Sequence, residues 1–169
     1  YPKLRSFLKG LRGETIFILG GSGKISCGSL RVLEKIKRLP ISILYIQPDI
    51  DMLDKTQKMQ EKLVRNVLQE YTRSAVFEKM CLISNASLDH IVDGAPVIGY
   101  YDALNNALVP SLHMVNFFLN TKPVAGSISK PRDTHRIYTV GIFDIENNEE
   151  KLFFPLDIVR ERGYIYSIS

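Results

Sequence analysis

The run Ile16-Phe17-Ile18-Leu19 passes directly into Gly20-Gly21-Ser22-Gly23-Lys24-Ile25-Ser26 and then into a helical pattern. That is the layout of a strand, a tight turn and a helix N-terminus, where backbone N–H groups without intrahelical partners converge. Such a place suits an anion, phosphate above all, because the N–H donors and the helix dipole act together. Lys24 adds a cation, which either offsets phosphate charge or points to solvent. Two well-known phosphate loops do not fit. A Walker A motif needs glycine at 18 and Ser or Thr at 25, and both positions are isoleucine. A dinucleotide GxGxxG fingerprint laid on Gly21-Ser22-Gly23 needs glycine at 26, where Ser26 stands. With no ligand, the same glycines make a strand-to-helix turn.

Three further residues complete a possible binding set. Asn85 follows the third apolar strand, and Tyr101-Asp102-Ala103-Leu104-Asn105 opens a long helical pattern. Positions i and i+4 share a helix face, so Tyr101 can cover a purine ring while the Asn105 amide, both donor and acceptor, reads its edge. Stacking of a base on an aromatic ring contributes about 1 to 3 kcal/mol in comparable platforms. Asn105 and Asn106 are polar on an otherwise apolar helix, and an unpartnered buried amide costs about 1 to 3 kcal/mol, so one of them is expected to hold a partner. Each residue also has a plain structural role open to it: Asn85 as a turn residue, Tyr100 and Tyr101 as helix-end anchors. Asp49, Asp51 and Asp54 suit the N-terminal cap of the next helix. His90, His113 and His135 are scattered and form no Ser/His/Asp order. Cys27 and Cys81 lie far apart with no CxxC or Cys/His cluster, which predicts free thiols and no zinc or other metal site.

This set resembles the tubulin/FtsZ family. Gly20-Gly21-Ser22-Gly23-Lys24-Ile25 is similar to its GGTGSG-type loop at three glycines, with Ser22 for threonine and Ile25 for the last glycine; Tyr101-x-x-Leu104-Asn105 is similar to its Tyr-x-x-Leu-Asn. The likeness covers about residues 3 to 119. It implies a GTP/GDP site, with Mg²⁺, in which Gly20, Gly21, Ser22, Gly23, Lys24 and Ser26 hold phosphate, Asn85 and Asn105 hold ribose or base, and Tyr101 stacks. A ribose contact at Asp49, Asp51 or Asp54 is implied only by the resemblance. It also implies a cytoskeletal role through head-to-tail self-assembly, since heterologous contacts that do not close give filaments. The family's first phosphate loops have no counterpart here, and its acidic loop after the central helix corresponds to residues 120–136, where Asp133 is the only acid. No catalytic residue is assigned, and GTPase activity requires those loops from a fuller chain or a neighbouring subunit. The alternative is a structural or interaction subunit of degenerate tubulin-like fold that no longer binds nucleotide. An unrelated α/β enzyme acting on a phosphorylated substrate is the third reading.

The elements that must position these residues follow from periodicity. Strands are expected at 15–19, 41–46 and 79–84, helices at 3–12, 30–39, 52–72 and 100–119, the last interrupted by Pro110. In the helix at 52–72 the apolar face is expected to hold Met52, Met59, Leu63 and Val67 with Val64, Leu68 and Tyr71, and the other face Lys55, Lys58, Lys62, Arg65 and Glu70. Asn85-Ala86-Ser87 reads as a turn. Alternating strands and helices predict an α/β three-layer sandwich with a mostly parallel sheet, followed by a partial α+β region. The division expected is a nucleotide-binding unit over 1–119, a linker over 120–136 and a β-rich region over 137–169. That last region should contain a hairpin turning at 146–150, a short helix over 156–162 and a strand over 164–168.

The chain has 169 residues, 22 basic and 18 acidic, for a net charge of +4. Its cations are dispersed without interleaved aromatics, so nucleic acid is an unlikely partner. No apolar run approaches the ~18 to 20 residues of a membrane span. A soluble, cytoplasmic protein is expected, with itself and a guanine nucleotide as partners. The absence of an initial methionine suggests a processed product or fragment.

Overall fold

Short β-branched runs with no polar alternation need cover on both faces, and the computed structural model supplies it. The model describes residues 6, 8–23, 26–92, 98–122, 132 and 134–166. The elements are β1 (Thr15–Gly20), α1 (Ser26–Ile36), β2 (Ile41–Gln47), α2 (Lys55–Arg73), β3 (Lys79–Ser84), α3 (Asn85–Ile91), α4 (Tyr100–Asn120), β4 (Ile137–Tyr138), β5 (Gly141–Asp144) and β6 (Glu149–Leu152). The first four strands form one sheet in the order β1-β2-β3-β4, and every pairing in it is parallel. Gly20 is registered with Ile46, and Gln47 with Ser84, so the three long strands end together on one edge.

Strand alternation sends side chains to two cores. Ile41, Ile43, Tyr45, Met80 and Leu82 pack with Leu33 and Ile36 of α1 and Val64 and Leu68 of α2. Leu44, Cys81 and Ile83 pack on the other side with Leu88 of α3 and Leu104 and Leu108 of α4. The second layer is centred on β2 and β3 and leaves Ile16 and Ile18 of the edge strand β1 exposed.

Helix α2 begins with a capping box: Gln57 N–H donates to the Asp54 carboxylate at 2.8 Å, and Asp54 N–H donates to the Gln57 side-chain oxygen at 3.1 Å. Asp54 is therefore a cap. The expected apolar face of this helix is corrected in part. The buried row is Glu61, Val64, Leu68 and Thr72, while Met52, Met59 and Leu63 are exposed. The sequence carries two apolar rows, and the sheet takes the one that includes a carboxylate. Asn85-Ala86-Ser87 is also not a turn but the first turn of α3, because the Ser84 hydroxyl accepts from Ser87 N–H at 3.3 Å and caps it. Pro110 lies inside α4, which runs through it.

Beyond α4 the chain returns to the sheet. Ile137 and Tyr138 pair with Met80 and Cys81, and Cys81 and Tyr138 share a side-chain hydrogen bond. Phe153 N–H donates to the Val140 carbonyl at 2.9 Å, and the Phe153 carbonyl accepts from Ser84 N–H at 2.6 Å. Its fully buried ring sits in the second core and that of Phe154 in the first. The hairpin forms, turning at residues 145–148. The helix expected over 156–162 does not: the segment is irregular, with Ile158 exposed, and a short helix without a buried stripe has too little to hold it. Side chains tie it down instead, Glu161 to His135 Nδ1 at 2.5 Å and Arg162 to Glu150 at 3.2 Å. Tyr164–Tyr166 form no strand, and residues 167–169 lie outside the described part, as do 3–5 and 7 of the first expected helix, where Ser6 and Leu8 are helical. No helix among the described residues is long and apolar enough to cross a membrane.

Because Phe153 joins the C-terminal segment to β3 by both backbone and ring, Phe153→Ala is expected to lower unfolding stability by about 3 to 5 kcal/mol. Urea unfolding followed by circular dichroism measures it. A loss under about 1 kcal/mol would show that this segment is not part of the core.

Candidate functional site

The glycine turn is built by its neighbours. Gly21 N–H donates to the Ile46 carbonyl at 2.9 Å, extending the β1–β2 ladder by one bond. A Cβ on Gly21 would stand 2.3 Å from the Tyr45 hydroxyl and 3.0 Å from Pro48 Cδ, so glycine is required there. Ser26 N–H donates to the Gly23 carbonyl at 2.9 Å, and its hydroxyl donates to the carbonyl of Gly20. Ser26 is buried. Its side chain thus closes the turn from within, tying the start of α1 to the end of β1. Ser29 adds a second tie, from its hydroxyl to the Ser26 carbonyl.

Above this turn lies an open cleft of ≈ 540 Å³. Gly20, Gly21, Ser22, Gly23 and Ser26 line it together with Gly28, Ser29 and Val32 of α1, Ile18 of β1, Ile46 and Pro48 at the end of β2, and Asn85 at the start of α3. No charged side chain lines it among the described residues. An anion there would meet first-turn N–H groups of α1, the Ser22 hydroxyl and the positive end of the helix dipole. Lys24 and Ile25 lie outside the described residues. Asn85 is half-buried, and since Ser84 supplies the cap of α3, its amide is not taken up by capping.

Tyr101 and Asn105 sit apart from the cleft lining, on the first two turns of α4. Tyr101 is 77% exposed and packs edge-to-face on Tyr100, ring centroids 5.6 Å apart. The Tyr100 hydroxyl donates to Asp89 of α3 at 2.6 Å, and that bond raises its pKa; Asp49, just past β2, acts on it in the same direction. The start of α4 is thereby fastened to α3 near the strand ends. Gly99 precedes it at φ 85°, a left-handed conformation that glycine adopts without strain. Asn105 and Asn106 are both exposed. The expectation that a buried amide there must hold a partner is corrected, since water can satisfy either one.

One group under the turn was not picked out from sequence. Glu61 of α2 is 2% exposed, and its Oε1 accepts from the Tyr45 hydroxyl at 3.0 Å, Gln47 Nε2 at 3.0 Å and Arg65 Nε at 2.9 Å. Its signal in the sequence is an acid within the apolar period of α2, at i−3 from Val64 and i−7 from Leu68. Among the described residues no group of His, Cys, Asp or Glu is arranged to hold a metal ion. His90 and His113 are exposed, and His135 pairs with Glu161.

No family model, curated protein or solved structure matches the chain.

The two thiols should differ sharply in reactivity. Cys27 is exposed on the first turn of α1, whereas Cys81 is buried and its thiol is pushed up to about 12, mainly by burial. Since the thiolate is the reactive form, a disulfide reagent at mildly alkaline pH is expected to titrate Cys27 rapidly in the folded protein and both residues in concentrated guanidinium chloride. Rapid reaction of both thiols in the folded protein would contradict this packing of β3.

Proposed function

We propose that the chain binds a guanine nucleotide at the C-terminal edge of its parallel sheet and that binding is coupled to head-to-tail self-assembly, as the likeness to tubulin and FtsZ implies. One observation carries this reading: the glycine turn, Pro48 and Asn85 line a single cleft where three parallel strands end. Ligands of open α/β sheets bind outside the carboxyl ends of the strands.

In this reading the phosphates lie over Gly20–Gly23 and the first turn of α1, and Lys24, next in sequence, would supply a cation. Ser26 acts by holding the turn closed. Asn85 takes the ribose, while Tyr101 and Asn105 offer a stacking face and an edge-reading amide one helical turn apart. The Tyr100 hydroxyl, bonded to Asp89, fastens the start of α4 that carries this face to α3. Hydrolysis is assigned to no residue of this chain, and Mg²⁺ would arrive with the nucleotide. The setting proposed is a cytoplasmic filament of identical subunits.

A second reading is favoured by a specific observation. The cleft is lined largely by apolar and small groups and leaves Tyr101 and Asn105 outside it. A subunit that kept the fold for assembly and lost the nucleotide would look the same there.

Calorimetric titration with GTP, GDP and ATP separates the two. Saturable binding of the guanine nucleotides is expected, with Tyr101→Ala weakening it by about 1 to 3 kcal/mol, the usual contribution of one stacked base. No heat and no rise in melting temperature with GTP or GDP would leave the structural-subunit reading. Sedimentation with and without GTP tests assembly, which is expected to require the nucleotide.

A further inference from the structure

Glu61 is the most deeply buried carboxylate among the described residues, and the nucleotide reading gives it no role. A carboxylate taken out of water is costly unless it is paired and hydrogen-bonded. Glu61 meets both conditions, but its partners are unevenly placed. Arg65 is one turn along the same helix, whereas Tyr45 and Gln47 come from the end of β2, at the rim of the cleft. The Tyr45 hydroxyl then does two things. It donates to Glu61 at 3.0 Å, and its oxygen lies under Gly21, so close that a Cβ there would come within 2.3 Å. Tyr45 is fully buried, so the hydroxyl has no other place to go. A continuous line of contact therefore runs from a carboxylate of α2 through a hydroxyl of β2 to the backbone of the glycine turn.

We propose that Glu61 is a positioning residue for the glycine turn: by fixing the Tyr45 hydroxyl it sets the height of Gly21 and the direction of the N–H groups that follow. The effect on ligand affinity rests on the nucleotide reading; the effect on the turn does not. Arg65 Nε donates to the same carboxylate oxygen at 2.9 Å, and Gln47 holds that oxygen from the strand side at 3.0 Å. The line also explains why α2 turns its Glu61 row, rather than the more apolar Met59 and Leu63 row, toward the sheet.

The test measures amide hydrogen exchange at Gly21 against a core amide, that of Leu82, together with GTP affinity, in the wild type and in Tyr45→Phe, Glu61→Gln and Gly21→Ala. Tyr45→Phe keeps the ring and removes the hydroxyl; exchange at Gly21 is expected to rise about tenfold relative to Leu82, because the loosening is local. GTP should weaken by a similar factor. Glu61→Gln, whose amide oxygen still accepts from the hydroxyl, should keep both within about threefold. The cost of Gly21→Ala should shrink when it is combined with Tyr45→Phe, since the nearest obstructing atom is then gone. If Tyr45→Phe is too unstable to assay, Glu61→Asp, which withdraws the carboxylate by one methylene, should give the same local loosening. The proposal is overturned if the variants lower the melting temperature while the Gly21-to-Leu82 exchange ratio stays at its wild-type value. A wild type that binds no nucleotide overturns the nucleotide reading alone, and the exchange ratio still decides the role of Glu61.

Discussion

The in-register parallel pairing of β1, β2 and β3 determines where this protein can act. Parallel strands direct their carboxyl ends the same way, and the register brings Gly20, Ile46–Gln47 and Ser84 to one edge. Each chain segment leaving that edge does something different. After β1 it turns through glycines into α1, after β2 it passes Pro48 and Asp49 to the capped start of α2, and after β3 it enters α3 with no intervening loop. The cleft lies among these exits. Had β2 slipped by one residue, its side chains would have exchanged faces and Tyr45 would have left the core beneath Gly21.

Two kinds of force hold this edge in place, and they differ in what they specify. Apolar burial on both faces is large and non-directional, and it would tolerate several ways of seating α2. The Glu61 hydrogen bonds are few and directional. A buried ion pair adds little net stability compared with a well-packed apolar replacement, but losing one partner is expensive because it strands the other. These bonds tie α2 to the end of β2 nearest the glycine turn, giving a direction that apolar burial by itself does not.

What could be read from the residues is what local chemistry decides. The three long strands were legible because each is a short apolar run bounded by glycine, proline or polar residues, and the glycine turn because it joins a strand to a helical period. Packing choices were not. In α2, Val64 and Leu68 are inside as their period predicts, but Met59 and Leu63, expected on the same face, stay out, because that apolar face is wider than the sheet covers. Asn85-Ala86-Ser87 has the composition of a turn, yet one cap from Ser84 makes it helical. Asn105 looked like a buried amide in an apolar helix, but α4 buries only Leu104 and Leu108 and leaves that flank in solvent. Residues 156–162 carry a weak helical period, which loses to hydrogen bonds and ion pairs made with distant partners.

The electrostatics of the cleft constrain how tightly it could hold a nucleotide. A helix terminus contributes about 0.3 to 1 kcal/mol to an exposed anion and up to about 2 in a partly buried geometry, and a stacked base about 1 to 3. Together these sum to at most about 5 kcal/mol, so on these two terms the affinity is at best just below millimolar, for which about 4 kcal/mol is needed. Asn85 and Lys24 would add to this, but the described lining supplies no second charge. A nucleotide seated over Gly20–Gly23 would leave its outer phosphates facing solvent and short of donors. The group best able to complete that shell is a second protein surface, and a subunit supplying it would bind more tightly when the nucleotide is present. By linkage the nucleotide would then bind more tightly to the assembled form by the same factor. Under the nucleotide proposal, incomplete coordination of the phosphates would be the means of coupling nucleotide binding to self-assembly.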